Sequence, residues 1–279
     1  RESGAGQGRG ATANTGSGGL YLGAGTSNVI ETNTFVDNVT NNAYEATNGN
    51  AWNDNRWSDY AGGGSYPIPG PGNGVDYSPR LPPVRCGDTL WSTTTLASSL
   101  ICSTNPALSL GADGITLDCA GHMIWMQGGG TAIAATSRSN VTVQNCTIYN
   151  GATGNAGVLF TNSSGTSVSN STFQGTWSGV HVDGGSNHTI KNNVFVDNSG
   201  VKMVGGVPTA VAGAVWVKNA SWVKVGYNEI RNTGWPIQNL GVGVLLDTVT
   251  DPDVYQNRIS TSGQVGIHLS NGGGSTNTI

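Results

Sequence analysis

Asp183, Lys218 and Asp247 are the charged residues whose spacing comes closest to a catalytic arrangement. Each directly follows a four-residue segment of one type: Gly179-Val180-His181-Val182, Ala214-Val215-Trp216-Val217 and Gly243-Val244-Leu245-Leu246. If these segments are strands on successive coils, Asp183 and Asp247 stand two rungs, about 9.6 Å, apart on one outward column. Glycoside hydrolysis uses two carboxyl groups about 5–9.5 Å apart with one held protonated. A lysine between them favours the ionised form of both, which removes the general acid. The three residues therefore read as a charge ladder, and no catalytic residue is assigned. A neighbouring outward column holds Tyr21, Leu159, His181, Trp216, Leu245 and His268. A ring-bearing stripe of this kind can stack sugars or make lateral contacts between rods.

Other reactive side chains are dispersed. Cys86, Cys102, Cys119 and Cys146 have neither CxxC spacing nor a histidine at zinc spacing. Cys86 and Cys102 flank a short stretch, and Cys119 and Cys146 lie about one coil apart, so both pairs suit disulfides in an oxidising compartment. Four buried small apolar side chains are the other reading. Asn38, Asn140, Asn145, Asn162, Asn170, Asn187 and Asn219 each begin Asn-x-Ser/Thr. Glycosylation there would place the chain on a surface, with Asn162, Asn187 and Asn219 the best placed. Asn53, Asp54, Asn55 and Asp59 offer oxygens of the kind calcium takes, although a capping turn fits them better. No cofactor or metal site is assigned.

These residues need elements to position them, and composition indicates which. Gly stands at 44 of 279 residues and charged residues at 10%, yet Val, Ile, Leu, Phe and Trp recur in short clusters bounded by Gly, Asn, Ser or Thr. Such clusters read as strands and turns. Val143, Val168, Ile190, Val225 and Val254 open equivalent segments, at spacings of one coil with loops of varying size. Stacked coils pair every strand with the next and line a lumen with alternate side chains. Asn recurring at one turn position predicts a side-chain hydrogen-bond ladder. The pattern predicts an all-β chain, a right-handed parallel β-helix (a β-solenoid). It divides into terminal coils of one β-helix over 1–49, an irregular Trp/Tyr/Pro-rich capping linker over 50–83, and a second β-helix over 84–279. The net charge of −4 without a Lys/Arg cluster excludes nucleic acid as partner, and no apolar run reaches membrane-spanning length.

The run from Trp52-Asn53-Asp54-Asn55-Arg56-Trp57 through Tyr66-Pro67-Ile68-Pro69-Gly70 to Val75-Asp76-Tyr77-Ser78-Pro79 resembles the terminal motif of NosD-type β-helix proteins. The segment Ile115-Thr116-Leu117-Asp118-Cys119-Ala120-Gly121-His122 resembles the opening of β-helix domains in archaeal and bacterial surface proteins. The resemblance implies a β-helix in a surface or periplasmic setting. A copper site implied by NosD would want clustered His or Met, whereas four His and three Met are scattered here.

The termini suggest an assembly. Ser275-Thr276-Asn277-Thr278-Ile279 matches Ser27-Asn28-Val29-Ile30, so that one copy would continue into Arg1 of the next. A head-to-tail contact that does not close generates a filament. The sequence thus leads to an extracellular, glycosylated structural protein whose partners are identical copies stacked head to tail. The alternative is a carbohydrate-binding or carbohydrate-active β-helix of the polysaccharide lyase/hydrolase type.

Overall fold

A computed structural model describes residues 12–13, 19–35, 41–60, 64–80, 83–150, 156–198, 201–204, 207–211, 213–233, 241–260, 263 and 265–270. The chain divides into two compact units, Arg1–Pro83 and Val84–Ile279. Every regular element among the described residues is a β-strand.

The second unit is a parallel β-helix of three sheets. The first sheet stacks Thr89–Leu90, Leu108–Leu110, Ile133–Thr136, Ala156–Thr161, Ser178–Asp183, Gly213–Lys218, Val242–Asp247 and Val265–Ser270. The second runs from Thr94–Thr95 to Thr250–Tyr255 and the third from Leu100–Cys102 to Arg258–Ser260, with seven strands each. Period-2 alternation sends one set of side chains inward. Leu117, Val143, Val168, Ile190, Val225 and Val254 form one buried column, and Ile124, Ile148, Phe173, Phe195 and Ile230 another. The long interval between Ile190 and Val225 contains an antiparallel pair, Val201–Val204 with Val207–Val211.

The glycines that open first-sheet strands have a packing role. A Cβ on Gly179 would lie 2.4 Å from Cδ1 of Phe195, and one on Gly157 2.7 Å from Cδ1 of Phe173. The two phenylalanines stack at 5.0 Å between ring centroids. The repeat thus pairs an absent side chain in the first sheet with a large one in the third.

The predicted asparagine ladder runs along the corner between the second and third sheets. Oδ1 of Asn193 accepts the backbone N–H of Ser171, Oδ1 of Asn228 that of Asn193, and Oδ1 of Asn257 that of Asn228, each at 3.0 Å. Their Nδ2 groups donate to the carbonyls of Val168, Ile190 and Val225. One coil earlier, Ser171 Oγ accepts from the backbone N–H of Cys146, and Cys146 is bonded to Cys119. Cys86 is bonded to Cys102.

The first unit has its own ladders and its own core of Ile30, Phe35, Ala43, Trp52, Trp57 and Ile68. Here the expectation of an irregular linker over 50–83 is corrected for its opening residues. Ala51–Asn53 pairs in register with Val29–Glu31, and Arg56–Trp57 with Thr34–Phe35, so residues 51–57 extend the coil. Trp52 and Trp57 enter the lumen columns of Ile30 and Phe35. Val75–Asp76 then pairs antiparallel with Tyr66–Pro67. The oxygens considered for calcium are engaged by the chain itself: Asn53 accepts from Ser78, Asp54 pairs with Arg80, Asn55 Oδ1 accepts from the backbone N–H of Asn33, and Asp59 accepts from Tyr66. Asp76 is buried and accepts from the backbone N–H groups of Asp54, Asn55 and Ser78 and from Trp57 Nε1. Arg1 and the segment Ser275 to Ile279 lie outside the described residues, as does Asn38.

Candidate functional site

The first sheet brings the predicted stripe into register on its outer face. Leu159, His181, Trp216, Leu245 and His268 occupy one position on five successive coils. Tyr21 does not belong to that column. It sits in the first unit, where its strand Leu20–Leu22 pairs with Ala43–Glu45 and its ring stacks on Tyr44 at 5.3 Å. The same motif, an apolar residue on either side of an outward one, recurs in both units, so position within the motif cannot distinguish them.

The centre of the stripe is a three-ring cluster. His181 and Trp216 stack at 4.1 Å with their planes 6° apart, and Trp177 meets Trp216 edge-on at 5.2 Å. Trp177 immediately precedes the strand Ser178–Asp183 and was not singled out by sequence. Its one available signal is a lone tryptophan placed just before a glycine-led strand. Trp177 Nε1, His181 Nε2 and Trp216 Nε1 are shielded from solvent and have no hydrogen-bond partner among the described residues. Buried polar atoms are nearly always satisfied, and each exception costs about 1–3 kcal/mol. Burial, and then the charge of Lys218, lower the His181 pKa to about 4 against the opposing influence of Asp183. The imidazole is therefore neutral at physiological pH.

The charge ladder flanks this cluster. Asp183, Lys218 and Asp247 are in register, with Lys218 Nζ 2.9 Å from Asp183 Oδ2 and 5.2 Å above the Trp216 ring. Burial raises the Asp183 pKa, but hydrogen bonds from Lys218 and Asn219 and the lysine charge outweigh it, leaving the carboxyl below its ordinary value. Asp247 accepts from Ser270 Oγ at 2.9 Å. An ionised Asp183 can orient a hydroxyl as an acceptor but cannot protonate a leaving group.

The sequon asparagines share a backbone state. Asn140, Asn145, Asn162, Asn170, Asn187 and Asn219 all have φ between 48° and 59°. Asparagine adopts this left-handed conformation more readily than other side-chain-bearing residues, so the density of sequons follows from the density of corners. Asn219 Nδ2 donates to Asp183, Asn145 Nδ2 to Asp118 and Asn187 Nδ2 to Ser186 Oγ, which occupies those three amides. Asn140, Asn162, Asn170 and Asn187 are exposed.

Residues 102–279 match the family model described as "Right handed beta helix region". The chain belongs to the right-handed β-helix family. Its fold is similar to a solved structure of DFA-IIIase from Arthrobacter chlorophenolicus A6, determined without its lid and in complex with GF2. The TM-score is 0.51 at 15% identity, with 94% of this chain and 66% of that chain covered. That likeness is one of fold. No curated protein matches the sequence.

Proposed function

We propose that this β-helix binds carbohydrate on the outer face of the first sheet, around His181, Trp216 and Trp177. The observation that carries the reading is the packing of these three rings on one another beside the Lys218–Asp183 pair. Aromatic rings supply stacking surface for a sugar ring. The fold shared with DFA-IIIase supports a carbohydrate-directed reading over a filament subunit. A lyase or hydrolase remains the enzymatic form of the same reading; Asp183, held ionised, speaks against its being the general acid.

The disulfides support an oxidising, extracellular or periplasmic setting. The resemblance of 52–79 to NosD-type proteins supports a place among surface β-helix proteins. Glycosylation, where the source performs it, fits the exposed Asn140, Asn162 and Asn170. Head-to-tail stacking of copies is a question for electron microscopy, where a rod with a regular axial repeat is the supporting result.

Calorimetric titration with a panel of neutral oligosaccharides tests the binding reading. Trp216→Ala is expected to weaken the ligand found by at least tenfold, with circular dichroism checking that the fold is retained. Unchanged affinity in a folded Trp216→Ala protein would overturn it. Loss of polysaccharide cleavage in Asp183→Asn or Asp247→Asn would instead establish an enzyme.

A further inference from the structure

A second site lies on a different sheet. At the corner leading into the second sheet, Asn187, Trp222 and Asp251 take equivalent places on three successive coils, with φ of 59°, 55° and 51°. Asparagine and aspartate are ordinary residues for such a corner. Tryptophan is not, because a bulky side chain is disfavoured in the left-handed region. Trp222 is also 61% exposed, so burial does not compensate for the unusual backbone.

The exposed indole borders a cleft lined by Asn187, Thr189, Trp222, Lys224, Asp251 and Asp253, with His188 and Pro252 completing the wall. Thr189, Lys224 and Asp253 are in register across three coils, so their outward side chains form one row. None of the ion pairs among the described residues uses Lys224, Asp251 or Asp253. The cleft thus combines one exposed aromatic face with two carboxylates, one ammonium, an amide and a hydroxyl that the fold does not engage with one another.

We propose that this cleft is a second saccharide-binding site, with one neutral sugar ring stacked on Trp222 and its hydroxyls shared among Asp251, Asp253 and Lys224. The chemistry selects the ligand class. Carboxylates accept from sugar hydroxyls and the ammonium donates to them. Two negative charges against one positive disfavour a polyanion. A hydrophobic peptide would find apolar surface on Trp222 alone, since Pro252 is buried. The inference takes only its ligand class from the function proposed above, because the two sites lie on different sheets.

The test is titration of the whole chain with neutral oligosaccharides and with polygalacturonate, using wild type, Trp222→Ala, Asp253→Asn and Trp216→Ala. Trp222 is exposed, so its truncation leaves the core intact. For a neutral oligosaccharide, Trp222→Ala is expected to remove one class of sites or weaken it at least tenfold, and Asp253→Asn to weaken the same class several-fold. Neutral-sugar binding with unchanged stoichiometry and affinity in Trp222→Ala overturns the second site, as does preference of the cleft for polygalacturonate. Loss in Trp216→Ala alone overturns it and keeps the first-sheet reading. Loss in Trp222→Ala alone supports it while the first-sheet reading fails. Absence of any binding in wild type overturns both.

Discussion

His181 and Asn228 are residues whose surroundings alter what their side chains contribute. The His181 pKa lies near 4, below the ordinary value of about 6.5. Between those values the unfolded chain binds a proton that the folded chain refuses, so stability falls as pH drops through that window. The shift corresponds to roughly 3 kcal/mol. Urea denaturation at pH 7 and pH 4.5 should therefore show a smaller acid penalty in His181→Gln than in wild type, by about 2 kcal/mol. His188, whose pKa is also lowered by burial, leaves a residual slope of the same sign in both proteins. Asn228 is a different case, because it serves two neighbouring coils. It accepts from Asn193 and donates to the carbonyl of Ile190 and to Asn257. Asn228→Ala leaves buried backbone groups unsatisfied and is expected to cost about 2–4 kcal/mol in denaturation midpoint analysis.

At the scale of strands and corners, the glycine–phenylalanine pairing makes a prediction that simple propensity would not. Gly179→Ala would be helpful in most strands, since glycine weakens them. Here the added methyl meets the Phe195 ring, and overpacking of this kind costs about 1–3 kcal/mol. Phe195→Leu in the same chain should recover part of that loss, and a double-mutant cycle reads the coupling. The glycine-led repeat was visible in the sequence, as were the inward columns and the Asn ladder, because each recurs at one position per coil. The partner of each glycine was not visible, since it lies on another sheet of the coil. Residues 50–83 show the converse. Proline and aromatic content suggested an irregular segment, yet Ile30 to Trp52 and Phe35 to Trp57 share one interval, a coil's length, that marks continued stacking. Trp177 is not legible in the repeat because it is outside the strand pattern, nor is Trp222, because its place is one that Asn and Asp fill on neighbouring coils.

The described residues form two cores, one of Ile30, Phe35, Trp52 and Trp57 and one running from Leu90 to Val254. A fragment of residues 84–279 carries its complete set of sheets and both disulfides, and should fold alone. Far-ultraviolet circular dichroism of that fragment should report β-structure with a cooperative melt; a featureless unfolded spectrum would refute the independence of the units. Within the larger unit, the seam formed by Cys119, Cys146, Ser171, Asn193, Asn228 and Asn257 changes its bonding along one line. Its early part is riveted, its later part only buttoned. Amide-exchange protection should consequently grade along that line under oxidising conditions, and a thiol reductant should loosen the riveted end while leaving the buttoned end as it was.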